Sequence, residues 1–352
     1  MEEIRKPAAT LKDVAMRSGY ALRTVKKVMN GDDSVRDKTR EAVLAAAREL
    51  NYKKNRLASA LVRQKSVKIA IVYSKVSKAY FPEVQEGFRN FAEEYQDFGL
   101  SIEFFEILEK GWRHQCSVLA GLCEREDIDG VIMQPTSTTK LNDMIRELTS
   151  HGKPVITFGA DAPASERICY VGPDAYRAGR IGGQLLANYI GKKGNVCVVM
   201  QTIEHMQTIY RKHGFTDYLQ EHCPKINISE LTIPDDSDVY SEMVSQLLEG
   251  NPDLNGIFCT DANTYLVGEL MRKAGRQDIK LVGFDLSYEA IELMRQEYVD
   301  VIIDQKPKLF SYVALETMFK YVYNNEQPEK KIIYTDLSIL TSECFSLTGI
   351  RL

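Results

Sequence analysis

What the chain lacks narrows its function first. No stretch approaches the roughly 20 consecutive apolar residues that cross a bilayer, which argues against a helical anchor and a membrane partner. There is no GxGxxG, no phosphate-binding loop of the GxxxxGK type, no GxSxG elbow and no HExxH, so the usual signatures of nucleotide, serine-hydrolase and zinc-protease chemistry are missing. The five histidines (His114, His151, His205, His213, His222) fall in no ligand-like spacing, although His205 and His213 flank Arg211. Seven cysteines, odd in number and without a CxxC pair, argue against a disulfide framework or a structural zinc. Cys116 and Cys123 are seven apart and read as buried thiols on one helix face. The expectation is no catalytic residue, no metal and no cofactor. The opening MEEIRKPAAT has no apolar core of a secretion signal, which with reduced thiols points to the cytoplasm.

What is present is a charge split. Residues 1–66 carry 16 Lys/Arg against 8 Asp/Glu, a net of +8, whereas the whole chain has 45 against 49. The other 286 residues therefore hold 29 against 41, a net of −12. A basic head on an acidic body suits a polyanion-binding module attached to a sensor. The head also has helical periodicity. Leu11, Val14 and Ala15 give a first helix its inner face, with Thr10 and Asp13 as a variant capping box. Ser18-Gly19-Tyr20 breaks the chain, a second helix starts near Ala21, and a third runs from about Arg36 to Leu50 with Val43, Leu44, Ala47 and Leu50 as its stripe. In Ala21–Asn30, Val25, Val28 and Met29 share one face, while Arg23, Lys26, Lys27 and Asn30 form a cationic ridge opposite. An ordinary three-helix core accounts for the apolar seam but not for the ridge. Three short helices with a tight turn between the first two form a helix-turn-helix.

The segments TLKDVA, TVKKVMNG, KTREAVLAAARELNY and NRLASAL, in that order, resemble the lactose-repressor (LacI/GalR) family of bacterial transcription regulators. The resemblance implies that the second helix enters the major groove of an operator, with Leu22, Arg23 and Lys27 at base-contacting positions. It places Thr10, Thr24, Lys26, Thr39, Tyr52 and Asn55 near phosphates. Where the family commonly has Ser-Arg, this chain has Lys26-Lys27; lysine lacks the guanidinium fork, so Arg23 carries more of the guanine readout. Lys53-Lys54 stand where a proline often precedes the connector. Residues 55–66, including Asn55, Arg56 and Ala58, are then a hinge helix and linker; small Ala58, Ser59 and Ala60 let two copies approach, and the resemblance makes Leu61 a minor-groove wedge.

From Lys68 the pattern changes to short β-branched runs alternating with helical stretches: 68–74, 101–107, 130–135, 154–159, 195–201, 256–261, 280–285 and 299–305. Such alternation means parallel sheets covered on both faces, and about 285 residues divide most simply into two doubly wound lobes. The resemblance extends to type I periplasmic sugar-binding proteins and implies three chain crossings near 171, 305 and 331. Lobe one would be 67–171 with 306–331, and lobe two 172–305 with 332–352. Ligands of open α/β sheets sit at the carboxyl ends of strands. Asp261, Asp285 and Gln305 lie at such ends and match ligand positions of the sugar binders, as do Arg211 and the pair Tyr80-Phe81. Asp161 stands two residues past Gly159, near a further family carboxylate; Asn263 and Lys78 are additional candidates, Lys78 replacing a common Asn and so allowing an acidic ligand. Carboxylates, an amide, an arginine fork and aromatic faces suit a polyol. The expectation is a homodimeric regulator, not an enzyme, that binds double-stranded DNA under control of a sugar, polyol or sugar acid. The alternative is a sugar receptor without a transcriptional role.

Overall fold

The computed structural model describes residues 11–29, 35–50, 66–74, 80–107, 111–201, 206–234 and 237–345. Thr10, Asn30, Tyr52, Asn55, Arg56, Ala58, Leu61, Lys78 and His205 lie outside the described residues. The chain divides into two compact units, a head and a body, with the boundary between Lys65 and Ser66.

The head has three helices: α1 (Leu11–Ser18), α2 (Leu22–Met29) and α3 (Asp37–Glu49). Gly19 joins α1 to α2 at φ 74°, a left-handed geometry that glycine enters without a Cβ clash. The carbonyl of Ala21 accepts from the amides of Thr24 and Val25, so α2 begins on a residue with no capping side chain. Val14, Val25, Val28, Val43, Ala46 and Ala47 form the core. Leu44, expected in the stripe of α3, is 39% exposed; Ala46, two residues on, is buried in its place. Arg17 and Glu49 tie α1 to α3 by an exposed ion pair at 2.6 Å.

The body holds two six-stranded sheets. The first orders β11-β5-β4-β3-β1-β2, built from β1 (Val67–Ser74), β2 (Leu100–Ile107), β3 (Gly130–Met133), β4 (Val155–Phe158), β5 (Cys169–Pro173) and β11 (Ile332–Thr335). The second orders β12-β10-β9-β8-β6-β7, from β6 (Gly194–Gln201), β7 (Ile226–Ile233), β8 (Leu254–Cys259), β9 (Lys280–Phe284), β10 (Val301–Asp304) and β12 (Ser338–Leu340). Within each, the first five strands follow the same 2-1-3-4-5 doubly wound order, so each sheet has a switch point beside its first strand. Helices cover both faces. In lobe one these include α4 (Tyr80–Glu94), α5 (Trp112–Cys123), α6 (Asn142–Ser150) and α12 (Pro307–Asn324); in lobe two, α7 (Ala175–Tyr189), α8 (Met206–His222), α9 (Ser237–Gly250), α10 (Thr264–Ala274) and α11 (Tyr288–Arg295). Buried on both sides, the inner strands are apolar throughout: Gly130–Met133 and Val155–Phe158 are fully buried. Cys116 and Cys123 pack with Leu119 and Leu122 of α5 against this sheet.

Two of the expected crossings shift. β5 runs to Pro173, so the first crossing is at Asp174, whose side chain accepts from the Arg177 amide and caps α7. β11 pairs in parallel with β5, Ile332 opposite Tyr170 and Thr335 opposite Pro173, so residues 332–335 belong to lobe one and the third crossing is at 336–337, not 331. The second crossing is at Gln305-Lys306, between β10 and α12. β12 runs antiparallel to β10, a departure from the all-parallel expectation.

Candidate functional site

The head places its residues as the periodicity requires. Val25 and Val28 of α2 are buried in the core, Arg23 and Lys26 are exposed, and Leu22, Thr24 and Lys27 are half-buried. Thr39, in the first turn of α3, is half-buried.

In the body, the carboxyl ends of both sheets open onto one cleft of about 690 Å³, its mouth included. Lobe one contributes Ser74 from the end of β1, Gln134 and Thr136 after β3, Gly159 and Ala160 after β4, and Tyr80 and Phe81 from the first turn of α4. Lobe two contributes Gln207, Thr208 and Arg211 from α8, Asp261 and Ala262 after β8, Asp285 after β9 and Gln305 at the second crossing. The cleft brings together Asp261, Asp285 and Gln305, which follow strand ends, with Tyr80, Phe81 and Arg211, which the family resemblance singled out. Phe81 is buried against Tyr73 with ring centroids 5.0 Å apart, and Tyr80 meets Phe81 edge to face at 5.2 Å.

Arg211 is the hub. One Nη donates to the carbonyl of Thr260 at 2.7 Å and the other to Gln305 Oε1 at 2.6 Å, while the guanidinium lies 3.9 Å from the Phe284 ring centroid. Gln305 Nε2 donates in turn to Asp285 Oδ1 at 2.6 Å. Burial lowers the Arg211 pKa, against the pull of Asp285; burial raises that of Asp285, against Arg211. Asp285 sits at φ 65°, a left-handed conformation that Asp and Asn tolerate better than most side chains. Asp261 bridges the lobe-two switch point: its Oδ2 accepts from the Gln201 amide at 2.9 Å and its Oδ1 from the Asn263 amide at 2.9 Å. Burial raises its pKa as well.

α8 can present Arg211 because α7 and α8 nearly touch. A Cβ on Gly179 would run into the Arg211 carbonyl, and one on Gly214 into the Tyr176 carbonyl. In lobe one, fully buried Gln115 organises the loop after β3: its Nε2 donates to the Gln134 carbonyl at 2.9 Å, and its Oε1 accepts from the Thr136 amide at 2.8 Å. Among the described residues, two contacts join the lobes across the cleft. The Met206 amide, first in α8, donates to Thr138 Oγ1 at 3.3 Å, and the Gln207 side chain meets the Tyr170 hydroxyl.

Two expected ligand residues do not line the cleft. Asp161 turns to Arg167, accepting its Nη2 at 2.6 Å and also its Nε, along with the Thr157 hydroxyl at 2.7 Å. Arg167 is only 7% exposed, and a guanidinium so far from water claims the carboxylate that reaches it. Asn263 starts α10 without capping it through its side chain. An Asp161→Asn protein should lose about 3 kcal/mol of stability, since it leaves a buried arginine uncompensated, yet keep effector affinity within about threefold. Chemical denaturation and ligand titration of the same sample check both halves.

The sequence reading missed Ser74, Gln134, Thr136, Gln207 and Thr208. Gln134 follows a strand end as Asp261 nearly does, and Gln207 and Thr208 stand four and three residues before Arg211, on its helix face. Three buried polar atoms of the lining have no partner: Arg211 Nε, Gln207 Oε1 and Gln134 Oε1. Native interiors rarely leave such atoms unsatisfied, so they are what a polar ligand would meet. Among the described residues, no cluster of His, Cys, Asp and Glu could hold a metal ion, and no helix is long and apolar enough to cross a membrane.

A basic helix-turn-helix joined to a two-lobed body with a polar cleft defines a DNA-binding regulator gated by a small molecule. Residues 69–326 match the periplasmic binding protein domain, and residues 10–55 match the bacterial regulatory proteins of the lacI family. The chain belongs to the periplasmic binding protein domain family over its body and carries a lacI-family regulatory domain as its head. It is 25% identical over 286 residues to the ribose operon repressor of Halalkalibacterium halodurans (78% of this chain, 80% of that one). It is 24% identical over 332 residues to catabolite control protein A of Priestia megaterium (92% and 95%). The crystal structure of a putative LacI transcriptional regulator from Bacteroides fragilis superposes with a TM-score of 0.74 at 22% identity, over 79% of this chain and 98% of that one. These relatives are regulators rather than enzymes.

Proposed function

We propose that this chain acts as a homodimer on a near-palindromic operator in the cytoplasm, and that a sugar or polyol in the cleft sets its grip on DNA. The observation that carries the reading is the cleft itself: a hydrogen-bonded Arg211-Gln305-Asp285 chain beside three unmet polar atoms, in a body attached to a basic head. Hydroxyls can both donate and accept there. Two heads on one dimer read two half-sites, with α2 in the major groove and Arg23 and Lys27 on base edges. Lys26, Thr24 and Thr39 serve phosphates, and Thr10, Asn30, Tyr52, Asn55, Arg56, Ala58 and Leu61 complete the interface. Ligand binding and DNA binding are coupled reciprocally through closure of the lobes.

Gel retardation of the intact protein with randomised duplexes tests this. A preferred site whose affinity falls with salt is expected. Arg23→Ala should cost about 1–3 kcal/mol per half-site and relax sequence preference, whereas Lys26→Ala should weaken all sequences alike and flatten the salt slope. Leu61→Ser should weaken operator binding and leave ligand affinity nearly intact. Absence of any preferred duplex at every salt concentration would refute the reading.

A further inference from the structure

Two residues of lobe one, Thr138 and Tyr170, reach lobe two at the same place, the start of α8. Thr138, buried in the loop after β3, accepts from the Met206 amide at 3.3 Å. The first amides of a helix have no partner within it, so this one is met from the other lobe. Tyr170, buried in β5, accepts from the Gln207 side chain and donates to the Pro173 carbonyl at 3.1 Å, with the Gly159 carbonyl at 3.4 Å. Burial holds its pKa above the ordinary phenol value, so the hydroxyl keeps the proton that it shares. Pro173 ends β5 just before the first crossing, which ties the hydroxyl to the hinge. Gly172 makes room for it: a Cβ there would lie 2.5 Å from the hydroxyl.

We infer that Tyr170 and Thr138 form a latch on the first turn of α8, which holds the two lobes together and aims Gln207 and Arg211 into the cleft. Neither lines the cavity, so both are positioning residues. Gln207 and Arg211 do line it, four residues apart on one helix face. Both bonds are made by protein groups alone, so the latch does not wait for a ligand. On opening, each is exchanged for a bond to water, so the latch biases the lobes rather than locking them. Gln207 also links the latch to the ligand, a step that rests on the cleft being the effector site. Its amide nitrogen is spent on Tyr170, while its Oε1 is buried without a partner. An amide that accepts on its oxygen donates more strongly from its nitrogen. A ligand donor on Oε1 therefore tightens the grip on lobe one.

Hydrogen exchange of the full-length protein, read by mass spectrometry with no sugar added, tests the latch. Tyr170→Phe and Thr138→Val should each exchange about fivefold faster over residues 206–211, the step expected from one net hydrogen bond. Thr138→Ser keeps the accepting oxygen and should restore wild-type protection. Tyr170→Phe added to Gln207→Leu should be no faster than Gln207→Leu alone, because the two changes remove the same bond. Faster exchange confined to β4 and β5 would make Tyr170 a packing residue of lobe one and overturn the inference. So would wild-type exchange over 206–211 in both Tyr170→Phe and Thr138→Val, or single effects that multiply in the double variant. Should Tyr170→Phe fail to fold, Thr138→Val against Thr138→Ser decides by itself. The link to the ligand is read by calorimetry with D-glucose, D-ribose and D-arabinose. Whichever the wild type binds should bind about fivefold more weakly to Tyr170→Phe, and equal affinity would overturn that link. Silence from all three sugars counts against the effector reading of the cleft, while the exchange experiment still judges the latch.

Discussion

An Asp285→Ala protein is expected to bind its effector about 100-fold more weakly and to lose the effector's influence on DNA, while its affinity for operator without effector stays within about twofold. The carboxylate ends the chain that runs from the Thr260 carbonyl through Arg211 and Gln305, so its removal deletes a ligand acceptor and frees Gln305 from its orienting partner. Hydrogen bonds to a charged group are each worth about 1.5–3 kcal/mol, which corresponds to one or two decades of affinity. Alanine also fits the left-handed backbone at φ 65° less well than aspartate, so part of the loss will appear as instability. Asp285→Asn separates the two effects: it tolerates that backbone and keeps an oxygen for Gln305, and should retain stability while losing much of the affinity. Calorimetry with the effector and gel retardation with and without it provide the readouts. A normal effector response in the alanine protein would take Asp285 out of the site.

Gly214→Val should be the most damaging single change in the body outside the cleft. Any Cβ at 214 meets the Tyr176 carbonyl, and Arg180 N lies 3.0 Å from the same point, so neither neighbour can yield as a flexible side chain would. α7 must move away from α8, which disturbs the stacked pair Phe215–Phe258, with centroids 4.4 Å apart, and the helix turn that aims Arg211. Overpacking of this kind costs about 3 kcal/mol or more, a drop of roughly 6–12 °C in melting temperature for a domain of this size. Effector affinity should fall with it. Because the head is a separate compact unit, its helical signal should persist after the body melts. A Gly214→Val protein with wild-type melting temperature would show that the two helices are free to separate.

The legibility of the fold followed burial. β1, β3, β4, β6, β8, β9 and β10 are covered on both faces and stand out as apolar runs. β7 is half-exposed, buried only at its two ends, and its sequence INISELTI looks polar. β11 and β12 are short edge strands, four and three residues long, with no fully buried position. β5 ends in Gly172-Pro173, which reads as a turn, yet Pro173 occupies a strand end where its missing amide is harmless. In the cleft, charged groups at strand ends were visible because few forces other than a ligand or a cap hold a carboxylate there. Amides gave no such signal, since Gln134 and Gln207 look like any surface glutamine until burial is known. Asp161 was misplaced for a related reason: its partner, Arg167, lies in an irregular stretch that periodicity does not describe. The head was legible because its seam and ridge are both periodic; among its described residues, Leu44 was assigned to the wrong side.

The last two strands among the described residues, Ile332–Thr335 and Ser338–Leu340, are almost consecutive, yet one finishes the first sheet and the other finishes the second. The tail therefore works as a shared clasp, fastening both lobes within nine residues. A stop codon just after Lys331 would strip an outer strand from each sheet together, baring β5 and β10 to neighbouring chains. Loss of this short stretch would thus be felt throughout the body, and a fragment ending there should aggregate rather than survive as a shortened sensor.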